Sequence, residues 1–130
     1  VKNGDHCAVN QVLYHLGSRG VEYDLMPWLE EHHVPLMAYC PLAQGGDLRR
    51  ELLNNKAVQM VAEQRHITAM QVLLAFVLHH ENVIAIPRSG KAEHVLENCQ
   101  AAEIKLTEEG YRLLDRAFPA PDHKVWLDIV

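Results

Sequence analysis

Short apolar segments alternate with amphipathic segments along the chain. Three of the apolar segments are short enough to be strands, namely Ala8–Leu13, Pro35–Tyr39 and Val83–Ile86. Polar residues, glycine or proline follow each of them, and the chain then continues with helical spacing. This alternation predicts parallel strands joined by crossover helices, with each strand buried on both faces. The predicted fold class is therefore α/β.

The segments after the strands have the spacing of amphipathic helices. Helices are predicted around Leu25–Leu29 with Pro27 in the first turn, and then at Leu48–Leu53, Lys56–Arg65, Thr68–His79, about Ala92–Ala101, and from Thr107 onwards. The clearest boundary is Thr68, because Gln71 follows it at the spacing of a capping box. The tail from Pro119 is rich in proline and then apolar, so we expect it to pack across another part of the molecule.

Composition and charge narrow the range of partners. The 130 residues are 48% hydrophobic and 22% charged, as in an ordinary globular domain. Acidic and basic residues are mixed and the formal net charge is −5, so no nucleic-acid partner is expected. No apolar run approaches the about 20 residues of a membrane span, and VKNGDHC lacks the features of a signal peptide. We therefore expect a cytoplasmic protein without a membrane partner.

The cysteines and histidines do not predict a metal site. Cys7, Cys40 and Cys99 are widely spaced and form no CxxC pair, so they are interpreted as free thiols. None of the nine histidines falls in HExxH or in zinc-finger spacing. Exposed histidines near helix ends explain the pattern without a metal.

The junction after the third strand carries the strongest chemical signal. In the segment Ile86–Asn98, a strand end runs into a helix N-terminus, where backbone amides and the helix dipole converge in parallel α/β proteins. Arg88, Ser89 and Lys91 add two cations and a hydroxyl, which suit a phosphate group. The spacing alone is equally compatible with a solvated turn that happens to be basic.

The segment Ala38–Gly46 also begins at a predicted strand end. Tyr39 could stack on a flat ring, and the loop with its two glycines could approach a pyrophosphate closely. The loop is not GxGxxG. Taken alone, the segment is explained more simply by a packed tyrosine and an ordinary loop.

The segment Val9–His15 places two amide side chains, Asn10 and Gln11, inside the first predicted strand. A buried amide has to be hydrogen-bonded. These side chains therefore either hold neighbouring backbone or bind an amide group of a ligand.

Together and in this order, the three segments resemble the aldo-keto reductase family. VNQ matches the family's sixth barrel strand, AYCPLAQ matches Y-S-P-L at the seventh, and IPRSGKAEHVLEN matches IPK-S with a terminal E-N at the eighth. The resemblance extends to the LTEEGYRLLD helix and the PAP tail, and is strongest to bacterial members of the methylglyoxal-reductase type, through NQVLYHLGSRGVEYDLMPW. It implies the C-terminal portion of a (β/α)8 TIM barrel, about strands 6 to 8 with their helices. Residues 1–130 would form this partial barrel, with 119–130 as its tail.

The resemblance also implies NADP(H) as cofactor and gives roles to individual residues. Gln11 would bind the nicotinamide carboxamide and Tyr39 would stack on its ring, while Arg88 and Ser89 would hold the 2′-phosphate. The full set of implied cofactor-binding residues is Gln11, Tyr39, Cys40, Pro41, Leu42, Gln44, Arg88, Ser89, Gly90, His94, Glu97 and Asn98, in which Cys40–Gln44 wraps the pyrophosphate and Glu97 and Asn98 contact the adenine. Cys40 stands where the family has serine. His94 stands where many members have arginine, and Lys91 could supply part of that charge.

The family's catalytic Asp, Tyr, Lys and His belong to motifs on earlier strands, and none of those motifs occurs in this sequence. Tyr14, Tyr23 and Tyr111 each lie in a different context. The sequence is therefore interpreted as the cofactor-binding part of an NADP(H)-dependent oxidoreductase that reduces small aldehydes or ketones, inactive on its own. The alternative is a non-catalytic cofactor-sensing or partner-binding module of the same fold.

Three strands cannot close a barrel, so we expect unpaired strand edges and exposed apolar inner faces of the helices. Exposed apolar surface favours association. The chain by itself is therefore expected to self-associate.

Overall fold

A three-stranded parallel sheet with helices packed on one face forms the framework of the fold, in a computed structural model that describes residues 6–130. Within that range its strands are β1 (Asn10–Leu13), β2 (Leu36–Tyr39) and β3 (Val83–Ala85), in the spatial order β1-β2-β3. Leu36 is the register partner of Asn10 on one side and of Val83 on the other. The predicted α/β class and the three strand positions are confirmed. The first five positions of the predicted 1–130 unit lie outside the described residues.

The helices cover one side of this sheet and its ends. They are α1 (Leu25–Glu31), α2 (Gly46–Asn54), α3 (Lys56–Arg65), α4 (Ala69–Val77), α5 (Ala92–Ala101) and α6 (Glu108–Ala117), with a short 3₁₀ turn at Gly20–Glu22. The helix predicted from Leu48 begins two residues earlier, at Gly46. The other predicted helices agree with the structure to within a few residues, as expected where the apolar spacing is regular.

Side-chain caps fix the starts of several helices. The Thr68 hydroxyl accepts a hydrogen bond from the Gln71 amide at 3.1 Å, and the Gln71 side chain accepts one from the Thr68 amide at 3.1 Å. The predicted capping box is therefore confirmed. Thr107 caps α6 in the same way through the Gly110 amide, and Asn55 caps α3 through the Ala57 amide.

The core lies between the helices and one face of the sheet. Because successive strand residues point to opposite faces, Leu36 and Ala38 share this face with Val83. All three are buried in one hydrophobic cluster with residues of the helices, including Leu29, Val58, Val61, Leu73, Phe76 and Leu114. The inner faces of these helices are thus covered, contrary to the prediction, whereas on α5 Val95 and Leu96 are 46% and 65% exposed.

The opposite face of the sheet, carrying Gln11, Met37, Tyr39 and Ile84, is open within the described structure. Ile84 is 45% exposed, and Ile86 just beyond β3 is 39% exposed. The prediction that the strands are buried on both faces is therefore wrong for this face at Gln11 and Ile84, although Leu13 at the end of β1 is 4% exposed. Gln11 is also exposed and not a buried amide as expected. We call this surface the open sheet face.

The tail after Pro119 is anchored on the turn that follows β1. The Ser18 hydroxyl donates to the Asp128 carboxylate at 2.6 Å, and Lys124 forms an ion pair with Asp24 at 2.9 Å. Val125 packs so closely on Gly20 that a Cβ there would lie 3.0 Å from the Val125 side chain. The tail therefore crosses the turn after β1 and is held there by these contacts, while Trp126 is 98% exposed and Ile129 is 84% exposed.

The buried His15 and the half-buried His80 predict how stability depends on pH. Nδ1 of His15 accepts from the Gly17 amide at 3.1 Å, and Nε2 of His15 and of His80 has no hydrogen-bond partner in the described structure. Burial lowers the pKa of both imidazoles below the ordinary value of 6.5. Both side chains are therefore neutral in the folded protein at neutral pH.

Stability should fall as the pH drops below about 6.5, because the unfolded chain then binds protons that these two histidines resist. Each histidine contributes a slope of at most about 1.4 kcal/mol per pH unit to the free energy of unfolding. Urea unfolding of the complete protein between pH 7.5 and 5 measures this slope. His15→Gln should flatten it, while the exposed His94→Gln should leave it unchanged. Equal slopes for wild type and His15→Gln would contradict the prediction.

Candidate functional site

The loops that follow β2 and β3 lie side by side at the carboxyl end of the sheet. Parallel pairing continues beyond β3, since the Ile86 amide donates to the Ala38 carbonyl at 3.1 Å. The two loop segments therefore leave the sheet side by side and border a cavity of about 390 Å³. Its lining comprises Cys40, Pro41, Leu42, Ala43, Gln44, Arg49, Ile86, Pro87 and Arg88. The structure thus brings together the two predicted loops, which are far apart in sequence.

The loop after β2 has an unusual backbone conformation. Cys40 and Ala43 have left-handed backbone conformations, with φ of 50° and 58°. The Ala43 amide donates a hydrogen bond to the Cys40 carbonyl at 2.9 Å. The left-handed region costs a residue with a Cβ about 1 to 2 kcal/mol. Gly45 and Gly46 also have positive φ and complete the turn into α2. Contacts outside the loop are needed to hold such a conformation.

Arg49, in the first turns of α2, supplies those contacts. Its Nε donates to the Leu42 carbonyl at 2.8 Å and its Nη2 donates to the Ala43 carbonyl at 2.7 Å. Sequence reasoning missed this residue. The available signal was its position one helical turn beyond Gly46, from which a long side chain reaches back over the loop.

The turn after β3 places Arg88 on the same cavity and gives the Ser89 hydroxyl a local role. Ser89 Oγ accepts from the Lys91 amide at 3.1 Å and donates to the Lys91 carbonyl at 3.3 Å, which shapes the entry into α5. Arg88 is exposed. Arg49 and Arg88 are the charged residues in the lining described above, so the cavity is suited to an anion.

Gln11 and Tyr39 lie on the open sheet face, beside the cavity rather than in its lining. Gln11 pairs with Met37, and Tyr39 pairs with Leu13, so the two side chains lie on neighbouring strands and the same face. Tyr39 is half-buried and Gln11 is exposed. This arrangement offers a flat ring and an amide next to each other, which can bind a planar group that bears an amide.

The predicted adenine-contacting residues lie on α5 and do not line this cavity. His94 is exposed, whereas Glu97 and Asn98 are half-buried. Asn98 lines a separate, mostly apolar groove of about 460 Å³ between α4, β3 and α5. Gly90 is exposed, and a Cβ there would meet nothing within 4 Å. The structure therefore divides the predicted set into a loop cavity, an open sheet face and a helix surface.

Other clusters of polar residues lie away from this site. A cavity of about 710 Å³ at the amino ends of β2 and β3 is lined by Glu30, His33, His79, His80, Glu81, Asn82 and Tyr111.

Among residues 6–130, no group of three or more His, Cys, Asp or Glu side chains is arranged to hold a metal ion. Cys7, Cys40 and Cys99 are free thiols, as predicted. In the same described range, no helix is long and apolar enough to cross a membrane.

Comparison with known families assigns the fold. The profile of the Aldo/keto reductase family matches residues 1–118. The chain belongs to this family. The sheet and helices described above accordingly form part of a (β/α)8 barrel, and the resemblance of the three sequence segments is confirmed.

The relatives of this aldo-keto reductase chain include two bacterial proteins that are named as reductases of small dicarbonyl compounds. Methylglyoxal reductase YeaE of Escherichia coli is 50% identical over 127 residues, which cover 98% of this chain and 45% of the relative. Glyoxal reductase of Bacillus subtilis is 31% identical over 120 residues, which cover 88% of this chain and 41% of the relative. The chain thus spans less than half the length of these curated relatives.

Solved structures give the same result. An aldo-keto reductase from Klebsiella pneumoniae in complex with NADPH is 51% identical and superposes with a TM-score of 0.93, covering 98% of this chain and 45% of that one. A thermostable aldo-keto reductase is 40% identical with a TM-score of 0.70, covering 82% of this chain and 38% of that one. The arrangement of strands and helices in this chain is therefore that of the corresponding part of larger reductases.

Proposed function

We propose that this chain is the NADP(H)-binding part of a carbonyl reductase that converts small aldehydes or ketones to alcohols. The observation that carries the proposal is the cavity between the loops after β2 and β3, into which Arg49 and Arg88 bring positive charge. The NADPH complex of the Klebsiella pneumoniae relative supports it, because that protein shares the fold of 98% of this chain at 51% identity.

The donors of the site fit a dinucleotide with an additional phosphate. The backbone of Cys40–Gln44 and the guanidinium of Arg88 border one cavity, so they can hold phosphate groups. Gln11 and Tyr39 offer an amide and an aromatic ring on the adjoining sheet face, which match a nicotinamide carboxamide and ring. The turn before α5 carries Ser89 and Gly90, which we assign to the 2′-phosphate side of the site. We assign His94, Glu97 and Asn98, on α5, to the adenine.

The bound cofactor would supply a hydride to the carbonyl carbon of the substrate. This chain's own contribution is to bind and orient the dinucleotide. We propose that the acid–base groups are supplied by other parts of the complete protein, because the family's catalytic motifs do not occur in this sequence. We propose a small dicarbonyl such as methylglyoxal as substrate, since two relatives are named for such compounds.

Arg88→Ala in the complete protein is expected to weaken NADPH binding by about 1.5 to 3 kcal/mol, which is the value of a hydrogen bond to a charged group. NADH binding should change little, because NADH lacks the 2′-phosphate. Fluorescence titration with both nucleotides measures the difference. Arg112→Ala, a substitution of an exposed residue on α6, serves as the control and should alter the affinity for neither nucleotide. Equal losses for NADPH and NADH would show that Arg88 does not bind the 2′-phosphate.

A further inference from the structure

Arg49 both contacts the loop after β2 and lines the cavity, whereas a residue that only stabilised α2 would need to do neither. Two of its N–H groups hold the carbonyls of Leu42 and Ala43, and its side chain lines the same cavity as Arg88. A guanidinium has five N–H donors. In the described structure, the remaining three have no hydrogen-bond partner in the protein, so they are available to a ligand in the cavity.

The two carbonyls explain why a cation is needed at this point. Leu42 is 6% exposed and Ala43 is 1% exposed, and both residues lie on the loop that borders the cavity. Carbonyl dipoles directed at an anion repel it, whereas a guanidinium bound to both oxygens reverses the local charge. Arg49 therefore holds the left-handed loop and also makes it electrostatically compatible with phosphate.

The two arginines come from different walls of the cavity, Arg88 from the turn after β3 and Arg49 from α2. A dinucleotide with a 2′-phosphate carries two separate anionic groups, the diphosphate and the 2′-phosphate. With Arg88 assigned to the 2′-phosphate, Arg49 is the other charged residue of the lining that can meet the diphosphate.

We propose that Arg49 is a positioning residue that fixes the loop after β2 and supplies the cation for the diphosphate of the bound dinucleotide. This inference rests on the proposed function, and it adds the division of labour between two arginines. Arg49 binds the anion common to NADPH and NADH, and Arg88 binds the anion that distinguishes them.

Ligand fragments separate these roles in the complete protein. ADP-ribose carries the diphosphate without the 2′-phosphate, and 2′-AMP carries the 2′-phosphate without the diphosphate. Arg49→Ala should weaken ADP-ribose, NADH and NADPH by about 10- to 100-fold, the range for loss of a hydrogen bond to a charged group. Binding of 2′-AMP should change less than about twofold, since Arg88 is intact. Isothermal titration calorimetry measures all four affinities without requiring catalysis.

Two variants accompany this substitution. Arg49→Lys keeps the charge but cannot hold two carbonyls with one rigid fork, so ADP-ribose should bind more tightly than to Arg49→Ala and less tightly than to wild type. Arg50→Ala is the matched control, because Arg50 is the next residue of α2, is 73% exposed and pairs with Asp47 on the surface. It should leave all four affinities unchanged.

The outcomes distinguish the inference from the function on which it rests. Retained 2′-AMP binding shows that Arg49→Ala is folded at the neighbouring subsite. Unchanged ADP-ribose binding by Arg49→Ala would overturn the inference, as would equal weakening of ADP-ribose and 2′-AMP. If wild type binds none of the four nucleotides, the proposed function fails. If Arg88→Ala selectively weakens 2′-AMP and NADPH while Arg49→Ala matches wild type, only the role of Arg49 fails.

Discussion

Arg19→Met is expected to lower the free energy of unfolding by about 3 to 5 kcal/mol, because it leaves a buried carboxylate without its cation. The Arg19 side chain is 4% exposed and that of its partner Glu22 is 10% exposed. Methionine fills a similar volume, so the expected loss comes mainly from the orphaned charge. Urea unfolding of the complete protein measures it.

The contacts of Arg19 explain the size of this effect. Its Nε and Nη2 donate to both oxygens of Glu22, at 2.8 and 2.7 Å, and its Nη1 donates to Asp115 at 2.7 Å and to the Phe118 carbonyl. The guanidinium also lies 5.1 Å from the centre of the Phe76 ring. Arg19 therefore joins the turn after β1 to α4 and to the end of α6, where the tail begins.

The charge of this cluster is stabilised from several sides. Burial opposes the charge on Arg19, but the hydrogen bonds to Glu22 and Asp115 outweigh it and raise the pKa of the guanidinium. The Tyr14 hydroxyl donates to Glu22 at 2.8 Å, and burial together with the Glu22 carboxylate raises the pKa of this phenol well above 10.0. Tyr14 thus acts as a neutral donor, which leaves Arg19 as the cation that compensates Glu22.

A second substitution tests this explanation. Adding Glu22→Gln to Arg19→Met removes the unpaired charge and should recover part of the lost stability. The control is Arg112→Met, because Arg112 is 71% exposed and lies 3.6 Å from Glu108, so its loss should cost less than about 0.5 kcal/mol. A loss below about 1 kcal/mol for Arg19→Met would contradict a stabilising role for the buried pair.

The 130-residue chain by itself is expected to self-associate at micromolar concentration through the open sheet face and the edge of β3. Burial of this apolar surface contributes about 25 cal/mol per Å². Ile84→Lys should weaken the association by about 3 kcal/mol, or about a hundredfold in Kd, because it places a charge in the centre of the contact. Light scattering across a concentration series measures both effects.

Ile84 is suited to this test because it is 45% exposed in the edge strand and lies on the open sheet face. The matched control is Ile129→Lys, since Ile129 is 84% exposed in the tail and lies outside the sheet. It should leave the association unchanged. A well-folded monomer with cooperative unfolding would overturn the prediction and would mean that the open sheet face is stable in water.

The site illustrates which residues a sequence can reveal. Arg88 was predicted because a cation after a strand end has a recognisable phosphate-binding context, and the structure places it on the cavity. Arg49 was missed because its role depends on the left-handed conformation at Cys40 and Ala43, which the sequence does not display. Arg19 was missed because its partners include Asp115 and Phe118, which approach it only in the folded chain.

The sequence itself determined those features of the fold that depend on interactions between near neighbours in the chain. The capping box of Thr68 and Gln71, the three strand positions and the helical segments all follow from spacing within one turn or one strand, and the structure contains them. Three motifs in order also identified the family. These features are local because their hydrogen bonds and apolar periodicity involve near neighbours in sequence.

Only the tertiary structure decided which surfaces are covered. The strand pattern predicted burial on both faces, yet Ile84 and Gln11 lie on the open sheet face because the helices pack on the other side. The pairing of β2 with β3 decided that the loops after these two strands share one cavity. Periodicity reports which residues alternate in direction, but burial depends on the layer that packs against them, and that layer comes from distant parts of a chain.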